Sequence, residues 1–280
     1  KTINQNIKCS GNFNNMKIWL KENNVGRVFF SNLNHNLDVL RVFGDSSIPI
    51  SYIPEWSENT MRLSTDNIGN QNIINLWGIN YSPLDLTIKT LFDFIFAFLS
   101  IIILSPVFIL VSILISIDSK GPLLFLQERS GVNGKTFKII KFRTMKVLES
   151  GTKPGLRQTT KNDNRLTKIG KILREWSLDE LPQLFNVLAG DMSIVGPRPH
   201  AITHNDIYRK EILGYMQRHA MKPGITGLAQ VSGYRGETKT IKQMKKRIEA
   251  DLNYQSDWHL YLDLKILIKT ILKLKSNQAY

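Results

Sequence analysis

The sequence predicts an α+β fold whose second part is membrane-associated, and three observations carry that prediction. Phe94 through Ile117 is an uncharged run of about 24 residues, long enough to cross a hydrocarbon core at about 1.5 Å per residue. Short strand-like and helix-like pieces alternate through residues 1–80, and two basic amphipathic helical patterns come after the apolar run. Charge is divided to match: residues 1–80 carry 7 Lys/Arg against 6 Asp/Glu, whereas residues 81–280 carry 30 against 17. An anionic partner therefore belongs to the second part, although charge alone does not distinguish nucleic acid, lipid headgroup and phosphorylated substrate. With 280 residues, 42% of them hydrophobic, the chain can furnish a packed core, which excludes global disorder. Cys9 is the only cysteine, so no intrachain disulfide can form and a reducing, cytoplasmic face fits.

In chain order, residues 1–80 read as a helix-like Met16–Lys21, a strand-like Val25–Phe30, a helical His35–Phe43 and a strand-like Ile48–Ile53, together part of a small α/β module. The module offers no glycine fingerprint, no metal-ligand spacing and no nucleophile beside an obvious base, so it reads as structural or regulatory. The chain starts at Lys1 with no methionine and no signal-peptide pattern, and further residues are expected upstream. Midway through the apolar run, Ser105-Pro106 predicts a kink, because proline removes a helical hydrogen bond and crowds the preceding turn. Lys89 precedes the run, and Lys120, Arg129, Lys135, Lys138, Lys141 and Arg143 come after it. Positive charge on both sides is awkward for a simple crossing. On these residues a kinked crossing helix stays open, as does a helix that dips in, bends at Ser105-Pro106 and returns to the same face. Beyond it, Thr136–Met145 reads as a strand with Lys141 and Arg143 on one face. Arg165–Trp176 sets Leu166, Ile169, Leu173 and Trp176 at helical spacing, with Arg165, Lys168 and Lys171 along another side. Trp258–Lys275 sets Lys265, Lys269 and Lys273 against an apolar face, the composition of an interfacial helix and equally of a core helix with a solvated lysine edge.

The residues with most chemical potential are Ser177-Leu178-Asp179-Glu180. They read as a capping box, Ser177 capping and Glu180 reaching back. They also admit a reading as two carboxylates sharing nucleophile and metal-ligand duties, because an aspartate kept ionised by cations and Mg²⁺ can attack phosphorus. In Val195-Gly196-Pro197-Arg198-Pro199 two prolines hold Arg198 on stiff backbone, either a rigid turn or a preorganised phosphate grip. Gln127–Gly131, Lys141 and Arg143 add cations. Pro223–Gly227 and Ser232–Gly236 are turns in which glycine would allow close backbone approach to a ligand. His200 and His204 lack a third ligand and read as helix-surface residues. No Walker A sequence or nucleic-acid module is present, so no nucleic acid is expected.

Taken in order, LLFLQERSG, FKIIKFRTM, SLDELPQLFNVLAGDMSIVGPRP and KPGITGLAQVSGYRGET, with Ser105-Pro106, closely resemble the bacterial sugar transferase family across roughly residues 83–275. These are monotopic polyprenyl-phosphate phosphoglycosyl transferases, which start exopolysaccharide, capsule and O-antigen assembly on the cytoplasmic face of the bacterial inner membrane. The resemblance implies a partial Rossmann-like module over 1–80, a re-entrant helix broken at Ser105-Pro106 over 81–120, and a catalytic domain over 121–280. It implies that Asp179 attacks the β-phosphate of a UDP-sugar and releases UMP, that Glu180 helps hold Mg²⁺, and that undecaprenyl phosphate then takes the phosphosugar. Arg129, Lys141, Arg143 and Arg198 are expected near phosphates, with Gly224, Thr226 and Gln230 in the substrate site. The stretch from Pro199 to Gly224 is similar to the glucose-1-phosphate transferring branch, so UDP-glucose is the expected donor and UDP-galactose the next. Membrane lipid is an expected partner, and a homo-oligomer is left open. Larger members carry a transmembrane bundle upstream, so a fragment and a shortened member are both open. Two other classes stand beside this reading. A membrane-tethered basic binding module would not need Asp179, and a nucleotide-sugar hydrolase would ignore lipid phosphate.

Overall fold

The computed structural model describes residues 25–30, 44–45, 47–52, 64–68, 71–77, 82–146, 163–212, 214–236, 238 and 240–273. The helix-like pieces expected at Met16–Lys21 and His35–Phe43 lie outside them. Mixed helix and sheet is what the described residues form. The first sheet runs in the order β1 (Val28–Phe30), β2 (Ile50–Tyr52), β4 (Gln71–Trp77), β3 (Ser64–Ile68). Only β1 and β2 are parallel, and β4 runs antiparallel to both its neighbours. Arg209 ties this part to the rest by donating to Asp45 at 2.7 Å, and the Gln217 amide donates to the Ile48 carbonyl at 3.3 Å.

Helix α1 spans Pro83–Asp118 and is long and apolar enough to cross a membrane. Ser82 caps it through a reciprocal pair with Asp85, and Pro83 sits where a missing N–H costs nothing. Leu91, Phe98, Ile103, Leu110 and Ile117 are among its exposed apolar residues, whereas Ala97, Val111 and Ile115 are buried. Both ends are bonded to residues later in the chain. Near its start, Lys89 donates to Asp263 at 2.8 Å, and Asp93 accepts from the Ser193 hydroxyl at 2.7 Å and the Ile194 N–H at 3.1 Å. At its end, Asp118 accepts from the Ile169 N–H at 3.1 Å, and Arg143 donates to the Ser119 carbonyl at 2.6 Å.

Strands β5 (Leu124–Ser130) and β6 (Thr136–Phe142) form an antiparallel hairpin in unbroken register from Leu124↔Phe142 to Ser130↔Thr136. Asn133 at φ 54° and Gly134 at φ 73° make its turn, the left-handed conformations such turns need. Helix α2 (Lys168–Glu175) is capped by Thr167, so it starts later than the Arg165 of the sequence pattern. Helix α3 (Gln183–Leu188), strand β7 (Ser193–Val195), helix α4 (Ile202–Glu211), strand β8 (Gly224–Thr226), short helix α5 (Leu228–Val231), helix α6 (Ile241–Ser256) and helix α7 (Leu260–Leu272) complete the domain. Its core gathers Ala97 of α1, Ile139 of β6, Leu184 and Val187 of α3, Val195 of β7 and Ile266 of α7. Burying each aliphatic side chain contributes roughly 1.5–3 kcal/mol, so α1 is part of the domain's own core. On α7, Ile266 is buried while Ile268, Ile271 and Leu272 are exposed.

Candidate active site

Between α2 and α3 the chain turns through a short 3₁₀ segment, Leu178–Glu180, that buries both acidic residues. Glu180 is clamped by cations. Its Oε1 accepts from Lys141 Nζ at 2.8 Å and from Arg198 Nη2, and its Oε2 accepts from Arg198 Nη1 at 3.1 Å, a two-pronged contact that fixes the guanidinium plane. Burial alone would raise the Glu180 carboxyl, yet the charges and hydrogen bonds of Arg198 and Lys141 outweigh it and hold Glu180 well below the usual range. Asp179 differs. Among the described residues no group donates a hydrogen bond to its carboxylate, and the residue is only 8% exposed. Burial, reinforced by the Glu180 charge, pushes it up to about 6, against the pull of Lys141, Arg174 and Arg198.

Two guanidiniums nearby have no carboxylate of their own among the described residues. Arg129 donates to the Gln127 side chain at 2.6 Å, and burial together with repulsion from Arg198 lowers it to about 10. Arg235 donates to the Ser177 hydroxyl and is lowered by burial and by the same Arg198 charge. A buried cation without a counter-charge is unsatisfied until an anion arrives. With Lys141, Arg174 and Arg198 these residues surround the acidic pair with positive charge suited to phosphates.

The fold positions each member. Asn186 on α3 imitates a strand neighbour for β6, donating to the Lys138 carbonyl at 2.8 Å and accepting from the Ile140 N–H at 3.0 Å, so Lys141 is registered against Glu180. The loop carrying Arg198 packs on β8 with no room for side chains, since a Cβ at Gly224 would lie 2.1 Å from the Gly196 nitrogen. Arg218 donates to the Arg198 carbonyl and is paired at 2.8 Å with Asp251, both almost wholly buried.

Of the residues expected in the site, Asp179, Glu180, Lys141 and Arg198 come together, and Arg129 is electrostatically coupled to them. Arg143 does not join them. Strand β6 ends at Phe142, so the alternation expected to align Arg143 with Lys141 stops, and its guanidinium caps the carbonyls of Ser119 and Lys120 at the end of α1. At Gly224 the missing side chain allows close contact with the Gly196 backbone. Ser177 has φ 57° and makes no capping bond, which removes the capping-box reading. His200 is buried against the Tyr215 hydroxyl at 2.7 Å instead of lying on a helix surface, and the His204 side chain lies outside the described residues. Sequence reasoning missed Arg174, Asn186 and Arg235. Only Arg235 had a signal, a cation inside a glycine turn.

Thr226 and Gln230 line a cavity of about 620 Å³ together with Ser177, Glu180 and Arg235. Asp179 does not line it, though its near neighbours in the chain do. As for a metal, no cluster of three or more His, Cys, Asp or Glu occurs among the described residues. Mg²⁺ commonly takes one or two carboxylates, completed by substrate phosphates and water. Glu180 Oε2 receives one donor, leaving a lone pair free, and Asp179 receives none, so the donor set fits that ion.

Residues 84–277 match the family model described as bacterial sugar transferase. The UDP-glucose:undecaprenyl-phosphate glucose-1-phosphate transferase of Klebsiella pneumoniae is 47% identical over 230 residues, covering 82% of this chain and 49% of that protein. The protein of the same name from Xanthomonas campestris pv. campestris is 41% identical over 283 residues, covering 98% of this chain and 58% of its own length. The UDP-N-acetylgalactosamine-undecaprenyl-phosphate N-acetylgalactosaminephosphotransferase of Aeromonas hydrophila is 38% identical over 225 residues, 80% of this chain and 52% of its own. The chain spans about half the length of these curated relatives.

Proposed function

The chain belongs to the bacterial sugar transferase family, and from that premise we propose that it transfers glucose 1-phosphate from UDP-glucose to undecaprenyl phosphate, releasing UMP and starting a polysaccharide repeat. The observation that carries the chemistry is the contrast between the two carboxylates: Glu180 is clamped by Lys141 and Arg198, whereas Asp179 accepts no hydrogen bond among the described residues and stands among cations. An Asp179 oxygen attacks the β-phosphorus, the bond from that phosphorus to the bridging oxygen breaks, and UMP leaves. A phosphate oxygen of the lipid then attacks the same phosphorus and returns Asp179 as a carboxylate. Arg129, Arg198 and Lys141 hold the donor's phosphates and stabilise charge that shifts between oxygens. Mg²⁺ held with the help of Glu180 would neutralise diphosphate charge and polarise its P–O bonds. UDP-glucose is favoured by the relatives from Klebsiella and Xanthomonas, with UDP-galactose next, and the Aeromonas relative is named for a third sugar.

The site works at a membrane surface on this reading. Both ends of α1 are bonded to one folded unit, Lys89 and Asp93 to α7 and β7, and Asp118 to α2. This supports a helix that enters and leaves on a single face, the cytoplasmic one, bent at Ser105-Pro106.

The test is UMP release from UDP-glucose and Mg²⁺ by detergent-solubilised protein. A stoichiometric burst is expected without undecaprenyl phosphate, turnover with it, and neither in Asp179→Asn, while the intact protein gains the mass of a hexose phosphate. Turnover by Asp179→Asn would overturn the covalent route. Turnover with another UDP-sugar alone would change only the donor. Folded protein that releases no UMP from any nucleotide sugar would leave the basic binding module in its place.

A further inference from the structure

The cavity of about 620 Å³ lies between α1, α3, α5 and α7, within the size range of small-molecule sites. Its lining is of two kinds. Phe96 and Leu104 from α1 and Leu267 and Ile271 from α7 are apolar, whereas Ser177, Glu180 and Arg235 bring charge and hydrogen-bonding groups beside Asp179. Helices α1 and α7 also carry exposed apolar residues, Leu99 and Ile103 on one, Ile268 and Leu272 on the other, so the apolar lining is continuous with elements that suit lipid. Arg235 has no carboxylate partner among the described residues, and Gln230 Oε1 is buried in the cavity lining without a donor. A nucleotide sugar has no hydrocarbon with which to fill such a space. The one amphiphile in the reaction does.

We propose that this cavity receives the isoprenoid segment next to the phosphate of the acceptor lipid, with Arg235 taking that phosphate while Arg129 and Arg198 hold the donor. The assignment rests on the transferase reading and adds to it a division of the site. In the second half-reaction an acceptor phosphate oxygen bonds to the phosphorus carried by Asp179, the bond from that phosphorus to the Asp179 oxygen breaks, and the diphosphate product leaves along the apolar wall. The first half-reaction does not use the apolar part of the cavity.

The test fills the cavity in the full chain with Ser100→Phe and, separately, Leu104→Trp, both on α1 and away from the charged cluster. The UMP burst from UDP-glucose without acceptor should match the unsubstituted protein, while the KM for undecaprenyl phosphate rises by about tenfold or more, the loss of roughly 1.4 kcal/mol of acceptor binding. A second readout needs no turnover. Undecaprenyl phosphate should protect the protein against heat, inorganic phosphate and phosphatidic acid should not, and the protection should vanish in both variants. Equal protection by phosphatidic acid would make the cavity a general lipid site and overturn the assignment. So would an unchanged acceptor KM, or a burst that falls together with acceptor turnover in both variants. If the unsubstituted protein gives no burst, the transferase reading fails, and the protection arms alone decide what the cavity binds.

Discussion

Asp179 is held near the point where small changes in its surroundings decide its charge. Burial and the Glu180 carboxylate push it up to about 6, and Lys141, Arg174 and Arg198 pull it back. A nucleophile must be ionised, so the UMP burst rate should climb with pH through about 6 and level above it. Lys141→Met removes a cation and should move that limb to higher pH. Glu180→Gln removes a like charge and should move it lower. Limbs that stay in place in both variants would mean that a different group sets the profile. Gly224 makes a second prediction at this scale. An alanine methyl would meet the Gly196 nitrogen at 2.1 Å, so Gly224→Ala should lower thermal stability by about 1–3 kcal/mol and weaken the burst by displacing Arg198. The acidic pair, Lys141, Arg129 and Arg198 were legible in the sequence because each sits in a compact local motif. Asn186 and Arg174 were not, because what they do depends on strands and loops distant in the chain. Ser177 reads as a cap by spacing alone, and its φ of 57° overrides that spacing.

At the scale of elements, α1 contains a repair. Proline at 106 has no N–H to give the Ile102 carbonyl, and the Ser105 hydroxyl donates to that carbonyl instead, at 2.8 Å. Ser105→Ala would orphan it on an apolar helix at about 1–3 kcal/mol, read as a lower temperature for loss of the UMP burst. The helix was legible from its uncharged run, but its start at Pro83 was not. Its attachment was not legible. Lys89 reads as a flanking charge, yet it is buried between Asp93 at 3.7 Å and Asp263 at 2.8 Å, and Asp263 also accepts from the hydroxyl of Tyr254 at 2.6 Å. Lys89→Met would leave two carboxylates buried without their cation, a loss of about 3–5 kcal/mol. Chemical denaturation in detergent would measure it, and a loss below about 1 kcal/mol would mean that water reaches the pair.

At the scale of the whole molecule, the apolar faces of α1 and α7 and the charged cluster belong to one packed domain. The topology reading can be checked in a Cys9→Ser background by placing single cysteines at Leu84 and Lys120, one near each end of α1. A membrane-impermeant thiol reagent should label both from the cytoplasmic side and neither from the other. Labelling from opposite sides would sink the same-face reading. Two of the four strands of the first sheet were legible, at Val25–Phe30 and Ile48–Ile53; β3 and β4 were not, nor was the mixed pairing, since periodicity says nothing of direction. The partners of Lys89 and Asp93 have a further consequence, for biosynthesis. Asp263 lies 174 residues beyond Lys89 and Ser193 lies 100 beyond Asp93. At ~5–20 residues per second the ribosome needs roughly 10–35 s to span the longer gap. Throughout that interval the nascent helix has left the tunnel with its charges uncompensated, so its apolar face must find shelter in lipid or a chaperone before the domain that anchors it exists.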